Sequence, residues 1–333
     1  MHKNSQINAI KISTDSNGHA LKLEKRSLKA PKPDEVLIKI AYAGVNGPDI
    51  LQAKGLYRPT KENILWPGLE VSGEIIALGA KVKDFKLGDK IVALCNGAGY
   101  ANFINLPATQ VLPLPKGWSL IEGATIAETF FTIMQTLVMR SRLKKHMFVL
   151  VHGASGGIGG SAIQIANFYG ARPIAIISSQ EKAEYVKSLG AEFIINYKQE
   201  DFVARTLEIT NGVGADRVID IIGGEIFYKN IKASAKNAKI MLLGLLGGAK
   251  AEINLAPILL KNLDIFGSTL GPQSKAKKAQ IAKKLKKDIW AALEEKTIKP
   301  PHIKIFNLDE ANLAHEYMRS KQHFGKIVLK VKF

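Results

Sequence analysis

Three regularly spaced glycines form the most chemically informative stretch of the sequence. An apolar run over residues 147–151 is followed by Gly153, Gly156 and Gly159, and residues 161–169 then show the apolar spacing of a helix. This order predicts a strand, a tight turn and a helix, which together direct backbone N–H groups and the positive end of a helix dipole at a phosphate. The G-x-x-G-x-x-G spacing therefore predicts a dinucleotide-binding turn. The alternative is a turn that serves only helix–strand packing.

The end of the second strand of such a fold selects the cofactor. The strand expected at 173–177 ends in Ser178-Ser179-Gln180-Glu181-Lys182, with no carboxylate at its tip. An acidic residue there would bind the ribose hydroxyls of NAD, whereas a 2′-phosphate needs hydroxyl groups and cations. Ser179 and Lys182, with Tyr197 after the next strand, therefore predict NADPH. The alternative is that Glu181 folds back onto the ribose and selects NADH.

Metal and nucleophile chemistry have no support in the sequence. Cys95 is the single cysteine, no two of the seven histidines have zinc-ligand spacing, and no HExxH or CxxC is present. No G-x-S-x-G turn occurs either, and Cys95 has no histidine nearby in sequence, which favours a buried structural role. His152 is expected to pack beside the glycine turn. Hydride transfer by a bound cofactor is the chemistry that remains.

The elements that position these residues fall into three regions. Short strands separated by Gly, Asn and Pro up to about residue 115 predict a barrel-like β domain. The following alternation of strands and helices predicts a six-stranded, parallel, doubly wound sheet, whose ligand crevice lies between the carboxyl ends of strands 147–151 and 216–221. After Gly267, two helices lead to a final strand with the alternation of a sheet edge.

The expected bounds are as follows. The N-terminal strands cover 7–12, 21–24, 35–42, 70–78, 90–94, 100–106 and 111–112, with a short helix over 49–54 and a longer helix over 120–140. The parallel strands cover 147–151, 173–177, 193–195, 216–221, 239–243 and 263–267, and their helices cover 158–169, 180–189, 200–210, 226–235 and 255–260. The C-terminal elements are helices over 275–296 and 309–321 and a strand over 326–332.

The strong positive charge raises the question of a nucleic-acid partner. The net charge is +18, and residues 275–287 contain seven lysines and no acidic residue. Within that segment and just beyond it, Ala279, Ala282, Leu285 and Ile289 recur at helical spacing, which predicts an amphipathic helix with a solvated basic face. No aromatic residue interrupts the lysines before Trp290, so a base-stacking surface is not favoured. The absence of membrane-length apolar runs and of a hydrophobic N-terminal signal suggests a cytoplasmic protein.

Several short motifs along nearly the whole chain are typical of one enzyme family. They are Ala43-Gly-Val-Asn46-Gly-Pro-Asp49, Gly55-Leu-Tyr57, Pro67-Gly68-Leu-Glu70-Val-Ser-Gly73, Leu87-Gly88-Asp89, Ala127-Glu128-Thr129-Phe-Phe-Thr132, the glycine turn, Leu189-Gly190-Ala191, Asp220-Ile-Ile-Gly223-Gly224 and Gly325-Lys326-Ile-Val-Leu329. In these motifs the sequence resembles the zinc-independent medium-chain dehydrogenases/reductases of the NADPH:quinone oxidoreductase (zeta-crystallin-like) branch.

The resemblance implies an α/β architecture with two domains. A GroES-like β-barrel catalytic domain, residues 1–125 and 270–333, would contain a Rossmann-like NADPH-binding domain inserted at residues 126–269. It also implies a homodimer that pairs through strand 263–267. In zinc-bearing relatives a cysteine and a histidine bind the metal where this sequence has Asn46 and Leu69, so no metal site is expected.

The same resemblance assigns roles to individual residues. Asn46 would hold the nicotinamide ribose or the substrate oxygen, Tyr57 would line the substrate pocket, and Thr132 would contact the nicotinamide. Gly47-Pro48 replaces residues that are usually larger at the mouth of the pocket. The cofactor contacts would be Ser155, Gly156, Gly157 and Ile158 at the pyrophosphate, Ser179, Lys182 and Tyr197 at the 2′-phosphate, Gly244 and Leu245 beside the nicotinamide, and Phe324 and Gly325 at the cleft.

The expected activity is NADPH-dependent hydride transfer to quinones. A hydroquinone needs no strong acid, whereas reduction of the C=C bond of an enal, enone or enoyl thioester requires protonation of carbon, for which Tyr57 is the candidate donor. This second activity is the alternative, and Tyr57 could equally serve packing alone. Asp49 is either a helix cap or a catalytic group. A protein of another class, an NADPH sensor or an RNA-binding protein, is the non-enzymatic alternative.

Overall fold

The computed structural model describes residues 4–15 and 18–332. These form two compact units, one built from Met1–Phe131 together with Leu270–Phe333 and the other from Thr132–Thr269. None of the helices in the described part of the chain has the length and apolar character needed to cross a membrane.

The N-terminal part of the first unit is rich in strands. Strands β1 and β2 pair as a separate antiparallel ribbon, and the later strands enter a second sheet. The hydrogen bond from Asn46 N to Asp49 Oδ2 at 2.9 Å, with Pro48 in the first turn, starts helix α1 where the sequence predicts a short helix. The elements are β1 (Asn4–Asp15), β2 (Gly18–Lys29), β3 (Glu35–Val45), α1 (Gly47–Ala53), β4 (Glu70–Leu78), β5 (Lys90–Leu94), β6 (Phe103–Pro107) and β7 (Val111–Pro113).

The continuous helix predicted over residues 120–140 is wrong. Helix α2 (Leu120–Gly123) ends after one turn, α3 (Ala127–Ile133) follows, and Met134–Arg140 continues as a π-helix. In this last segment Ser141 N donates to Thr136 O at 2.8 Å, five residues back instead of four. Apolar spacing cannot distinguish these three segments, because all of them bury the same kinds of side chain.

The second unit has the predicted parallel sheet, in the order β10-β9-β8-β11-β12-β13. The order reverses between β8 and β11, so the crevice at their carboxyl ends is the expected ligand position. The elements are β8 (Phe148–Val151), α4 (Gly157–Phe168), β9 (Arg172–Ile177), α5 (Gln180–Ser188), β10 (Phe193–Asn196), α6 (Phe202–Ile209), β11 (Ala215–Asp220), α7 (Ile226–Ala233), β12 (Ser234–Leu242), α8 (Ala256–Leu260) and β13 (Asp264–Gly267).

The C-terminal part of the first unit departs from the prediction in three places. The helix expected over 275–296 is divided at Ile289, and the strand β14 was not predicted. The last strand, β15, lies inside the sheet order β14-β15-β3-β4-β5-β7 and is largely buried, so its predicted edge position is wrong. The elements are α9 (Lys275–Asp288), α10 (Trp290–Glu294), β14 (Ile303–Asn307), α11 (Ala311–Arg319) and β15 (Lys326–Lys330).

Candidate functional site

The glycine turn of the second unit joins β8 to α4 in a conformation that requires glycine. Gly153 has a φ of +60°, and a Cβ on Gly159 would collide with the backbone of Gly153 and Ala154, so the helix could not approach the turn. A Cβ on Gly156 would meet only Gly153 O, at 3.4 Å, which is an ordinary van der Waals contact. The turn is therefore tightly packed at Gly159 and less crowded at Gly156.

The donors available at this turn are those of the first turn of α4. Gly157 and Ile158 are its first two residues, and their N–H groups have no helical acceptor. The N–H of Gly156 donates to Gly153 O at 3.0 Å, so this predicted phosphate donor is already used within the turn. Ser155 is buried immediately before it. The arrangement suits an anion held at the N-terminus of a helix of 12 residues.

His152 has a structural role at the same edge of the sheet. Its Nε2 lies 2.6 Å from Asn230 Oδ1, and Asn230 Nδ2 donates to Asp220 Oδ2 at 3.0 Å. Asp220 Oδ1 also accepts from the N–H groups of Ile222 and Gly223 at 2.7 and 2.9 Å. Burial lowers the pKa of His152, so the imidazole stays neutral. This chain of contacts holds the ends of β8 and β11 in place.

A second cluster of polar groups lies where β9 and β10 end. Ile177 pairs with Asn196, and Tyr197 N donates to Ile177 O at 3.1 Å, which brings the residues after both strands to the same level. Ser179 is the N-cap of α5 and its Oγ accepts from Lys182 N at 3.4 Å. The ammonium of Lys182 lies 3.5 Å from Ser178 Oγ.

Lys198 adds a second cation to this cluster. The pKa of Lys182 is lowered, first by burial and then by the charge of Lys198. Lys198 directly follows Tyr197, which is half exposed, and both residues are accessible to solvent. Two ammonium groups beside two serine hydroxyls and a helix N-terminus form an environment that favours a phosphate dianion.

Gly244 and Leu245 follow β12 beside the loop after β11. Leu243 N donates a hydrogen bond to Asp220 O at 2.7 Å, and Leu246 N donates one to Ile221 O at 3.2 Å, so the two loops lie side by side. A Cβ on Gly244 would lie 2.8 Å from Ile221 O, whereas Leu245 is half exposed. Both residues thus lie at the carboxyl edge of the sheet, and their place beside a nicotinamide stays a prediction.

The first unit contains a buried ion pair that the sequence analysis missed. Lys326 Nζ lies 2.5 Å from Glu70 Oε1, and the side chains are 3% and 0% exposed. Asn46 contacts both partners: its Oδ1 accepts from Lys326 Nζ at 2.6 Å and its Nδ2 donates to Glu70 Oε1 at 2.9 Å. A Cβ on Gly44 would collide with Glu70, which explains the glycine there. The ion pair is called the Glu70–Lys326 pair below.

These contacts decide which predicted role of Asn46 is chemically available. Its second amide hydrogen faces Gly44 O at 3.4 Å, so both N–H groups point at protein acceptors. One lone pair of Oδ1 accepts from Lys326, which leaves the amide only acceptor capacity for a ligand. Such an acceptor can bind a ribose hydroxyl, whereas a substrate carbonyl oxygen would need a donor.

Asp49 acts as a helix cap. Its Oδ2 accepts from Asn46 N at 2.9 Å at the start of α1, while its Oδ1 accepts from Gly68 N at 2.9 Å. Burial raises the pKa of this carboxyl to about 7, and the two backbone donors oppose that rise. Both oxygens are therefore used to hold α1 against the chain before β4.

Tyr57 lies against the segment that enters α9. The N–H of Gly271 hydrogen-bonds the phenol oxygen, and a Cβ on Gly271 would collide with it. Lys278 fixes this segment, because its Nζ donates to Gly271 O at 2.8 Å and to Asn96 Oδ1 at 2.6 Å. Burial, followed by the charges of Glu128 and Asp49, raises the pKa of Tyr57, so the phenol keeps its proton.

Glu128 is a further buried carboxyl in this region. Its backbone N donates to Glu70 Oε2 at 3.0 Å, and its charge adds to burial in raising the pKa of Tyr57. Burial, together with the charges of Glu70 and Asp49, raises the pKa of Glu128 to about 8. At neutral pH Glu128 is therefore mostly a carboxylic acid.

Three further residues, Thr132, Phe324 and Gly325, were predicted to contact the nicotinamide or the cleft. Thr132 is half-buried on α3 and its carbonyl oxygen accepts from Thr136 Oγ1 at 2.7 Å. Phe324 packs against the His302 ring at 4.6 Å, and Gly325 has a φ of +72° where a Cβ would collide with the backbone of His302. Their assignment to the cofactor stays a prediction.

The residues around Asn46 do not suit a catalytic metal ion. Leu69 offers no donor atom, and Asn46 is engaged with a lysine ammonium whose positive charge would repel a cation. Burial raises the pKa of the Cys95 thiol, which opposes formation of a thiolate ligand. Over residues 4–15 and 18–332, no three His, Cys, Asp or Glu side chains come together in a way that could hold a metal ion.

Five functional candidates therefore come from the structure alone. Four of them, Glu70, Glu128, Lys278 and Lys326, are charged side chains that sequence patterns assign to solvent, and their partners lie up to 280 residues away. For Glu70, Glu128 and Lys326, the only local signal is a charged residue at the start of an otherwise apolar strand or helix. Lys278 has no such signal, because it lies among other lysines. The fifth, Lys198, directly follows the predicted site residue Tyr197, and that position could have identified it.

Comparison of the sequence with known proteins finds matches to two dehydrogenase family profiles and to quinone oxidoreductase-like relatives. The zinc-binding dehydrogenase family profile matches residues 157–286, and the alcohol dehydrogenase GroES-like domain profile matches residues 32–116. A quinone oxidoreductase-like protein 2 homolog of Nematostella vectensis is 30% identical over 301 residues, which cover 90% of this chain and 82% of that protein.

Solved structures give the same result for the fold. A quinone oxidoreductase of Pseudomonas syringae pv. Tomato DC3000 matches with a TM-score of 0.86 and 26% identity, over 97% of this chain and 99% of that one. The CurK enoyl reductase matches with a TM-score of 0.84 and 27% identity, over 98% and 100% of the two chains. These similarities confirm the predicted fold class, a GroES-like domain combined with a Rossmann-like parallel sheet.

Removal of the Lys326 ammonium tests the importance of the Glu70–Lys326 pair. Lys326→Met leaves a buried, unpaired carboxylate, and we expect the free energy of unfolding to fall by about 3–5 kcal/mol. Lys11→Met, which removes the cation of a partly exposed pair with Glu24 at 2.8 Å, is the control and should cost about 1 kcal/mol or less. Urea unfolding measures both values. Equal losses in the two variants would contradict a special role for the buried pair.

Proposed function

Because this chain belongs to the medium-chain dehydrogenase/reductase family, among the quinone oxidoreductases and their relatives, we propose that it reduces quinones with NADPH and without a metal ion. It is an oxidoreductase of that family. The observation that carries the choice of cofactor is the cluster after β9 and β10, where Ser178, Ser179, Lys182 and Lys198 form a cationic, hydroxyl-rich environment.

The second unit would hold the cofactor through three groups of residues. The N–H groups of Gly157 and Ile158 would bind the pyrophosphate at the N-terminus of α4. Ser179, Lys182 and Tyr197, with Lys198, would bind the 2′-phosphate. Gly244 and Leu245 would flank the nicotinamide, which supplies the hydride when bound. In the first unit, Asn46 Oδ1 would accept from a ribose hydroxyl.

The proposed acceptor is planar and electron-poor. A quinone takes up a hydride without a strong acid, because its ring stabilises the resulting oxyanion until water protonates it. A protonated, buried phenol at Tyr57 also favours the second candidate, reduction of the C=C bond of an enal, enone or enoyl thioester, where carbon must be protonated. The similarity to an enoyl reductase at 27% identity is compatible with this activity.

The edge strand β13 supports a proposed homodimer. It ends the sheet order of the second unit, so one of its edges has no neighbour within the described chain. Leu259 and Leu260 on the preceding helix are 81% and 75% exposed, and Ile265 on the strand is 37% exposed. Pairing of two β13 strands would cover both the open edge and these apolar side chains.

Lys182→Ala tests the choice of NADPH. Loss of one ammonium from the 2′-phosphate site should weaken NADPH binding about tenfold or more, since a charge-assisted hydrogen bond contributes about 1.5–3 kcal/mol. The dissociation constant of NADH should change by less than about twofold. Lys187→Ala, at the exposed far end of α5, is the matched control. Equal weakening of both cofactors, measured by calorimetric titration, would contradict the assignment.

Tyr57→Phe separates the two substrate classes. The variant keeps the ring but loses the phenol proton, so quinone turnover should stay within a few-fold of wild type while enal turnover should fall about a hundredfold. Initial rates of NADPH oxidation with one quinone and one enal provide the measurement. A large loss with the quinone would contradict the proposed mechanism, and equal activity on the enal would assign Tyr57 to packing.

Sedimentation velocity tests the proposed dimer. We expect the wild type to sediment as a dimer and Leu259→Lys/Leu260→Lys to sediment as a monomer, because two ammonium groups would be buried at the paired strands. Leu313→Lys, at another exposed leucine, is the control and should remain dimeric. A monomeric wild type, or a double variant that stays dimeric, would disprove the interface.

A further inference from the structure

A chain of buried polar side chains joins two strand ends at the carboxyl edge of the parallel sheet. His152, directly after β8, has its Nε2 2.6 Å from Asn230 Oδ1. Asn230, on α7, donates from Nδ2 to Asp220 Oδ2, at the end of β11, at 3.0 Å. The three side chains are at most 3% exposed. Because the sheet order reverses between β8 and β11, the chain connects the two sides of the expected ligand crevice.

The chemistry of the three groups fixes where the protons lie. A carboxylate only accepts hydrogen bonds, so the Asn230 amide must direct its NH₂ group at Asp220 and its oxygen at His152. The imidazole nitrogen that faces this oxygen must then be a donor. Burial lowers the pKa of His152, so the ring is neutral and carries its single proton on Nε2. Asp220 thus sets the tautomer of His152 through Asn230.

Packing holds the His152 ring in this arrangement. The ring lies edge-on to Phe202, with 5.1 Å between the ring centres and 86° between the ring planes. His152 N also donates to Ile219 O at 3.1 Å, so the backbones of the two strand ends are bonded at the same level. Side chain and backbone therefore both connect the end of β8 to the end of β11.

One end of the chain continues into the glycine turn. Gly153 directly follows His152, and a Cβ on Gly153 would lie 2.4 Å from Ile221 Cδ1. The turn therefore packs on the loop that follows β11. A shift of His152 would move the backbone that leads to the N–H groups of Gly157 and Ile158, where the pyrophosphate is proposed to bind.

The other end continues into the loops that are proposed to flank the nicotinamide. Asp220 Oδ1 accepts from Ile222 N at 2.7 Å and from Gly223 N at 2.9 Å, which bends the chain directly after β11. A Cβ on Gly223 would lie 2.8 Å from Leu245 Cδ2, so the Leu245 side chain rests on this bend. The position of Leu245 therefore depends on the carboxylate to which Asn230 donates.

We propose that Asn230 is a positioning residue that couples the two ends of the cofactor site: by joining His152 to Asp220, its amide holds the glycine turn and the loop of Leu245 in one fixed arrangement. This role rests on the cofactor binding proposed above. Asn230 acts through its two neighbours and needs no contact with the cofactor. A ligand that spans both loops then binds without the free-energy cost of ordering them.

NMR spectroscopy of the protein without cofactor tests the arrangement of protons. With ¹⁵N-labelled histidine, the imidazole whose signals disappear in His152→Gln should carry its proton on Nε2 at neutral pH. In Asn230→Leu, which removes the amide that both neighbours contact, this ring should no longer be restricted to one tautomer. A proton on Nδ1 in the wild type, or an unchanged tautomer in Asn230→Leu, would overturn the proposal. Neither result depends on the proposed function.

Calorimetric titration then tests the coupling, with NADPH compared against adenosine 2′,5′-bisphosphate, which lacks the nicotinamide half. Asn230→Leu should raise the dissociation constant of NADPH about tenfold and that of the bisphosphate less than about twofold. Asn167→Leu is the matched control and should change neither constant, because it removes an exposed amide of the same unit, which donates to Gly190 O at 2.7 Å. Equal weakening of both ligands, or unchanged NADPH binding in Asn230→Leu, would overturn the proposal.

A pair of substitutions at His152 gives the same test without altering Asn230. His152→Leu removes the donor and should reproduce the selective loss of NADPH binding. His152→Gln places an amide nitrogen near the position of Nε2, so it can still donate to Asn230 Oδ1 and should bind NADPH within about threefold of wild type. Equal losses in the two variants would contradict the role of this hydrogen bond. A wild type that binds neither ligand would instead reject the proposed function, and the coupling with it.

Discussion

The first unit depends on one buried electrostatic interaction, the pair between Glu70 on β4 and Lys326 on β15. These residues are 256 positions apart in the chain, and their contact joins the C-terminal strand to the N-terminal sheet. Asn46 bonds to both partners, and Glu70 also accepts from the backbone of Glu128. Removal of either charge would leave the other buried without an opposite charge, and the free-energy cost of this is far larger than the net contribution of the intact pair. The pair thus fixes the starts of α1 and α3 relative to the sheet.

The same interaction shapes the chemistry available nearby. The Asn46 amide is hydrogen-bonded to the Lys326 ammonium and to the Glu70 carboxylate. The nearby positive charge makes Asn46 poorly suited to bind a cation, but its oxygen can still orient a hydroxyl. Burial, followed by the negative charge of Glu70, raises the pKa of Glu128.

Sequence reasoning succeeded where the signal is local. The glycines at 153, 156 and 159 mark a turn by their own residue type, and Ser179 and Lys182 directly follow a strand. The predicted sheet is confirmed, and all these residues lie at its carboxyl edge. It failed where the signal is distant. Lys326 begins a strand that alternation assigns to a sheet edge, yet β15 is largely buried and its first residue pairs with Glu70.

Lysine-rich composition was a second source of error. Lys278 belongs to a segment of seven lysines that the sequence assigns to a solvated face, but it is 3% exposed and bonds to Asn96 and Gly271. Only the fold shows which member of such a run turns inward. The break at Ile289 and the π-helix after Ile133 were also missed, because they change hydrogen bonding without changing the apolar pattern.

We propose that this chain transfers a hydride from NADPH without a metal ion, at a site that hydrogen bonds and a buried ion pair organise. The most direct test is the rate of oxidation of NADPH and NADH by one quinone, measured on purified protein before and after exhaustive dialysis against a metal chelator. We expect faster turnover with NADPH and no change after dialysis. Preference for NADH, or activity that is lost on dialysis and restored by zinc, would contradict it.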